Sequence, residues 1–306
     1  MVRYDESTAA KGEKYVRDQR GRGGRRAATA AGGGGIVAII LAVLFAVISG
    51  GDPGSVLVET ATTIPQIDGP VAVDPNDPAA VDPDAQTIEY MEFLMFDVQD
   101  TWDQIFDEAG LVYEPTTLTI FDGAVESGCG RATSQVGPFY CPAPNDRGVY
   151  MDLDFYEELA RRFGAPGDFA QAYVIAHEIG HHVQAVLGIS DQVRQAQAQN
   201  PNIQNELSVR QELQADCFAG VWGWSASQRT TLDGLPILEP GDIEEGLRAA
   251  ASVGDDTIQA QAGMTINPDT WTHGSSAERV EWFQRGLETG DPEQCDTFAS
   301  DVTVTT

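Results

Sequence analysis

Between Asp168 and Leu187 the chain carries a segment that is apolar nearly all the way round a helix. Phe169, Tyr173, Ala176, Val183 and Leu187 share one stripe, while Val174, Ile175 and Ile179 lie off it. A surface helix keeps a polar face, so a helix of this kind has to be central, with other elements packed around it. Asp168 is the expected N-cap and Gly188 stands just past the end. Whatever fold the chain adopts must be built around this segment.

The rest of the chain divides by composition. Residues 1–35 hold eight Lys/Arg against four acids, whereas the remainder holds ten basic residues, none of them lysine, against 43 acidic ones. Such an acidic body repels nucleic acid and acidic lipid headgroups, which argues against either as its ligand. The charge serves solubility, or it attracts cationic peptides to a cleft. Ile36–Ile48 is an unbroken apolar run that reaches twenty residues with its Gly and Ser flanks. As a helix that is about 30 Å, the thickness of the hydrocarbon layer.

Arg20, Arg22, Arg25 and Arg26 precede the run and Asp52 follows it. The positive-inside rule then predicts a single-pass anchor at 32–51, a cytoplasmic basic segment at 1–31 and an exported remainder. A cleaved signal peptide is the alternative, disfavoured by the long polar region in front. Six prolines between residues 53 and 83 mark 52–84 as an extended, disordered linker. Residues 85–300 are then one domain, followed by a short tail, 301–306.

Within that domain the spacing predicts an amphipathic helix over Thr87–Ala109, ending at Gly110, and strands at Leu118–Phe121 and Val149–Leu153. Further helices are expected over Phe155–Phe163, Ile203–Trp224 and Ile243–Gly263. A last one follows Ser275, which has capping-box spacing to Glu278. The expected class is α+β, mostly helical with a small sheet. Cys129, Cys141, Cys217 and Cys295 allow three disulfide pairings. Cys129 with Cys141 closes a short Gly/Pro-containing loop and is the preferred pair, leaving Cys217 with Cys295; buried free thiols are the alternative.

The central helix reads Ala176-His177-Glu178-Ile179-Gly180-His181-His182. Histidines at i and i+4 lie one above the other on a helix face, so His177 and His181 can reach one metal ion. Zinc suits neutral ring nitrogens in a tetrahedral site. Glu178 is turned about 100° from His177. Its carboxylate can therefore face a water molecule and serve as general base in hydrolysis.

A catalytic zinc needs a third protein ligand. Glu212 and Asp216 form an acid pair at i and i+4 in an otherwise apolar helix, costly to bury without a cation. Glu212 as ligand, with Asp216 accepting the outer N–H of a ligating imidazole, removes that cost; an exposed acidic face is the alternative. His182 points about 100° away from His181 and is expected to pack or to support the ligands from behind. His273, in a Thr-His-Gly turn, is a candidate to hydrogen-bond the oxyanion of a tetrahedral intermediate, or else a structural residue.

Four stretches together, Ala124–Pro142, Phe163–Gln184, Glu212–Trp222 and Thr272–Phe283, resemble the bacterial neutral zinc metallopeptidases of the YpfJ type. The start Arg3-Tyr4-Asp5-Glu6 and the single apolar run are similar too. Glu212-Leu213-Gln214-Ala215-Asp216 also resembles the Glu-x-x-Ala-Asp element of the gluzincin peptidases. The resemblance implies a zincin core with Glu212 as third zinc ligand, acting on peptide or protein substrates. A non-catalytic exported module that keeps zinc for structure is the competing function; oligomeric state is open.

Overall fold

The computed structural model describes residues 2–21 and 82–299. Helix α1 (Glu6–Gly12) and the short strand β1 (Val16–Asp18) open the chain, and α2 (Ala85–Glu108) follows. Then come β2 (Thr117–Phe121), the hairpin β3 (Ala124–Ser127) and β4 (Gly130–Thr133), β5 (Phe139–Ala143) and β6 (Asp146–Asp152). The remainder is helical: α3 (Asp154–Arg161), α4 (Asp168–Val186), α5 (Ile189–Gln199), α6 (Gln204–Ser227), α7 (Asp242–Ser252), α8 (Asp255–Gln261) and α9 (Ser276–Thr289). The layout is α+β. One sheet runs β1-β2-β6-β5, parallel except for β5, which forms an antiparallel edge; β3 and β4 pair separately.

Helix α4 is the central element its apolar circumference demands. Ala172, Ile175, Ala176, Ile179 and Val183 are fully buried, and α2, α6 and α7 pack around it. Gly180 sets its distance from α6: a Cβ there would lie 3.0 Å from the Ala215 carbonyl oxygen. A second close approach joins α6 to α9. A Cβ on Gly220 would come within 2.1 Å of the Phe283 carbonyl, and one on Gly286 within 2.0 Å of the Cys217 carbonyl. These glycines are needed for the absence of a side chain, and they bring three helices that carry polar groups into backbone contact. Cys129 pairs with Cys141 and Cys217 with Cys295, the second bridge tying the end of the chain to α6.

The termini of several helices follow local chemistry. Gly188 is left-handed, with φ 76°, at the end of α4. Ser275 and Glu278 form the full capping box of α9. Asp168 is not the cap of α4 but its first residue, after Gly167, and its carboxylate accepts the backbone N–H of Val2. The helix expected over Ile243–Gly263 is broken at Gly254, whose backbone is extended. The break turns Asp255 so that its Oδ2 accepts the N–H groups of Thr272, His273 and Gly274 at 2.8, 2.7 and 3.1 Å. Three charge-assisted bonds outweigh a continued helix.

The N-terminal segment overturns the expected topology. Strand β1 is hydrogen-bonded in the sheet of the domain, Val16 opposite Leu118. Tyr4 stacks on Phe93 with ring centroids 4.9 Å apart. Arg20 pairs with Asp18 at 2.8 Å, with Asp82 at 2.5 Å and with Asp84, which places residues 20 and 82 side by side. A β-ladder cannot form across about 30 Å of hydrocarbon. A cytoplasmic N-terminus opposite an exported domain is therefore ruled out. Among the described residues no helix is long and apolar enough to cross a membrane. That corrects both the single-pass localisation and the membrane helix of the expected fold class. The segment 32–51, residues 52–81 of the linker 52–84 and the tail 301–306 lie outside the described residues.

Candidate active site

His177 and His181, one helical turn apart on α4, have ring centroids 4.7 Å apart. Glu212 reaches both from α6. Its Oε2 is 3.2 Å from His177 Nε2, and its Oε1 is 3.5 Å from His181 Nε2. The three side chains can each offer one ligand atom, all within 4.8 Å of one another. Tetrahedral zinc with bonds of roughly 2.0–2.1 Å places neighbouring donors about 3.3 Å apart. Two nitrogens and a carboxylate at 3.2 and 3.5 Å therefore fit such an ion.

What aims these donors lies one layer back. Asp216, fully buried, accepts four bonds: from His177 Nδ1 at 2.9 Å, Tyr173 Oη at 2.5 Å, and Arg279 Nε and Nη2 at 2.8 and 3.0 Å. An ionised Asp216 keeps a proton on His177 Nδ1, so in the neutral ring that could bind an ion the lone pair is on Nε2, toward Glu212. For His181 the same work falls to Gln184. The Gln184 amide donates to the Gln211 carbonyl at 2.7 Å and to Gln214 Oε1 at 3.0 Å. Its own oxygen is thereby the end that faces His181 Nδ1, at 2.9 Å. Both imidazoles are thus held in one tautomer and one orientation.

The electrostatics follow from burial and pairing. Burial alone would favour a neutral His177, but Asp216 and Glu212 outweigh it and lift its pKa to about 10. His181 is raised by Glu212 in the same way against burial. Burial opposes the charge on Glu212, yet the two imidazoles hold its pKa well below the usual carboxylate range. Asp216 is likewise held low, Arg279 and His177 prevailing over burial. A buried acid facing two bases is the charge pattern of a cation site.

Glu178 stands apart from this network. It is 8% exposed, and among the described residues nothing hydrogen-bonds its carboxylate. Burial raises its pKa, against the opposing pull of the two histidines. It lines a cleft of about 390 Å³ together with His177, His181, Glu212, Arg279 and His273. His273 is half exposed, and its Nδ1 faces Thr272 Oγ1 at 3.1 Å and Asp255 Oδ1 at 3.3 Å. Its Nε2 is the nitrogen left for the cleft. His182 points elsewhere: it is buried against Tyr140 Oη at 3.0 Å and the Glu114 carbonyl at 2.5 Å.

The structure thus gathers His177, Glu178, His181, Glu212 and His273 at one cleft, with Asp216 buried behind His177. Sequence reasoning did not anticipate Tyr173, Gln184 or Arg279. Tyr173 and Gln184 sit at helical spacing from the histidines, four before His177 and three after His181, which was the available signal. Arg279 had none beyond being one of few arginines in an acidic body.

Comparison with known proteins bears on the family. The family model described as "putative neutral zinc metallopeptidase" matches residues 4–298. The chain is 47% identical over 218 residues to the uncharacterized protein YpfJ of Escherichia coli (strain K12), covering 71% of this chain and 73% of that one. It is 50% identical over 195 residues to the uncharacterized protein Rv2575 of Mycobacterium tuberculosis (strain ATCC 25618 / H37Rv), covering 61% and 64%. No solved structure matches. With its match running over nearly the whole chain, from residue 4 to residue 298, the chain belongs to the neutral zinc metallopeptidase family.

Proposed function

We propose that the chain is a zinc-dependent peptidase in which His177, His181 and Glu212 hold the ion and Glu178 is the general base. When bound, zinc supplies a Lewis acid for the scissile carbonyl and lowers the pKa of water to about 7. The chain's own residues do the rest. Asp216 and Gln184 fix which nitrogen of each imidazole is left for the ion. Glu178, a stronger base than a solvated carboxylate because it is buried, takes a proton from the attacking water. It then delivers that proton to the leaving amine. His273, anchored by Asp255, donates from Nε2 to the oxygen on which negative charge develops.

The observation that carries this reading is the division of labour among three acids. Glu212 faces both imidazoles, Asp216 is bound behind one of them, and Glu178 lines the cleft with no hydrogen-bond partner for its carboxylate among the described residues. The test is zinc content and peptide-library cleavage by wild type beside Glu178→Gln. A variant that keeps its zinc while cleavage falls by about 10²- to 10⁴-fold supports the reading. Equal background cleavage by both would sink it.

A further inference from the structure

His177 and His181 are held from behind by groups of different kinds. The first leans on a carboxylate, Asp216, and the second on a neutral amide, Gln184. A neutral acceptor holds an N–H about half as strongly as a charged one. The placing of His181 therefore depends more on what fixes that amide. Gln184 is fully buried, and Gln214, which meets it from α6, is buried too.

The bonds behind His181 run in one direction. The Cys295 carbonyl can only accept, so the end of Gln214 that meets it at 3.1 Å is Nε2. That turns Gln214 Oε1 toward Gln184 Nε2 at 3.0 Å, and the same nitrogen also donates to the Gln211 carbonyl at 2.7 Å. Gln184 Oε1 is then the end left for His181 Nδ1 at 2.9 Å. Turning either amide over would set like groups against each other in a buried place, at the cost of unmade hydrogen bonds.

The outer end of this relay is tied down covalently. Cys295 is bonded to Cys217, three residues after Gln214 on α6, and both cysteines are fully buried. The bridge keeps the accepting carbonyl at the helix that carries Gln214 and Glu212. The chain beyond it has holds of its own: Thr297 Oγ1 donates to the Arg210 carbonyl at 2.7 Å, and Phe298 is buried in one cluster with Leu207.

We propose that Gln214 is a positioning residue for His181 and that the Cys217–Cys295 bridge anchors its relay, so that zinc affinity depends on a disulfide outside the ligand set. The inference rests on the zinc-site reading above. It is tested on the full oxidised chain, with zinc Kd measured by competition against a chelator. The variants are Gln184→Met, Gln214→Met, the two together, and the double variant Cys217→Ala, Cys295→Ala with and without Gln214→Met.

Each glutamine variant is expected to weaken zinc about tenfold. The two together should lose little more than Gln184→Met alone, because one acts through the other. Removing the bridge should weaken zinc in wild type and add little in Gln214→Met. In imidazole nitrogen NMR of the zinc-loaded chain, Gln214→Met should shift the His181 Nδ1–H signal and leave that of His177 in place. An unchanged Kd in Gln214→Met, or additive losses in the glutamine pair, overturns the relay and leaves the zinc site standing. A bridge-less variant that folds and binds zinc like wild type overturns the anchor; if it fails to fold, the glutamine cycle decides. A wild type that binds zinc with this pattern but cleaves no peptide keeps the relay and overturns the peptidase reading.

Discussion

Arg279 grips Asp216 through two parallel hydrogen bonds, Nε to Oδ2 at 2.8 Å and Nη2 to Oδ1 at 3.0 Å, both side chains being buried. The pair sits directly behind His177, so the carboxylate that orients a candidate ligand is itself oriented by a cation from the last helix. Arg279→Leu removes that cation and leaves the buried carboxylate with only His177 and Tyr173 as partners. The expected loss is about 3–5 kcal/mol of unfolding free energy, measured by urea denaturation. Adding Asp216→Asn should recover part of it. A loss below about 1 kcal/mol would mean that Asp216 does not depend on Arg279.

Metal binding should release protons. With its pKa lifted to about 10, His177 carries a proton at pH 7 when no ion is bound, and His181 is shifted in the same direction. A ligating imidazole must be neutral, so the ion displaces the proton and its affinity falls as pH falls. Calorimetric titration with zinc at pH 7, in buffers of different ionisation enthalpy, should detect about one proton or more per ion. No buffer dependence would contradict the assignment of His177.

Acid stability should depend on His182. Burial lowers its pKa to about 4, and the unfolded value is about 6.5. At pH 7 both states are neutral there and no penalty exists. As pH falls from about 6.5 toward 4 only the unfolded state takes the proton, and stability drops by roughly 3 kcal/mol at most. His182→Gln should lose less stability than wild type between pH 7 and pH 4.5. Parallel losses would assign the acid sensitivity to carboxylates alone.

His273 should matter to turnover and not to metal content. Its replacement by Ala is expected to lower kcat about a hundredfold with KM little changed and zinc still bound. Steady-state kinetics together with metal analysis decide this. Unchanged turnover would reduce His273 to a partner of Asp255.

Much of this was legible in the residues. The 3.6-residue period stacks His177 over His181 wherever the helix lies, and an apolar circumference forces that helix inside. The burial cost of two acids in the apolar helix α6 pointed to a cation, and the helix places Glu212 and Asp216 there. The capping box of α9 and the left-handed Gly188 also follow from local chemistry.

Other features had no local signal. The membrane topology was inferred from hydropathy and flanking charge, which carry no information on what the first twenty residues pack against. Only the ladder between β1 and β2, residues about a hundred positions apart, decided that.

The sequence by itself thus determined the central helix, its His177-Glu178-x-x-His181 spacing and the acid pair that answers it, because helical period and burial cost act over a few residues. The tertiary structure alone decided that Glu212 meets His177 across 35 positions and that Arg279 meets Asp216 across 63. Those encounters depend on how closely helices approach, and here the approach is set by the missing side chains of Gly180, Gly220 and Gly286.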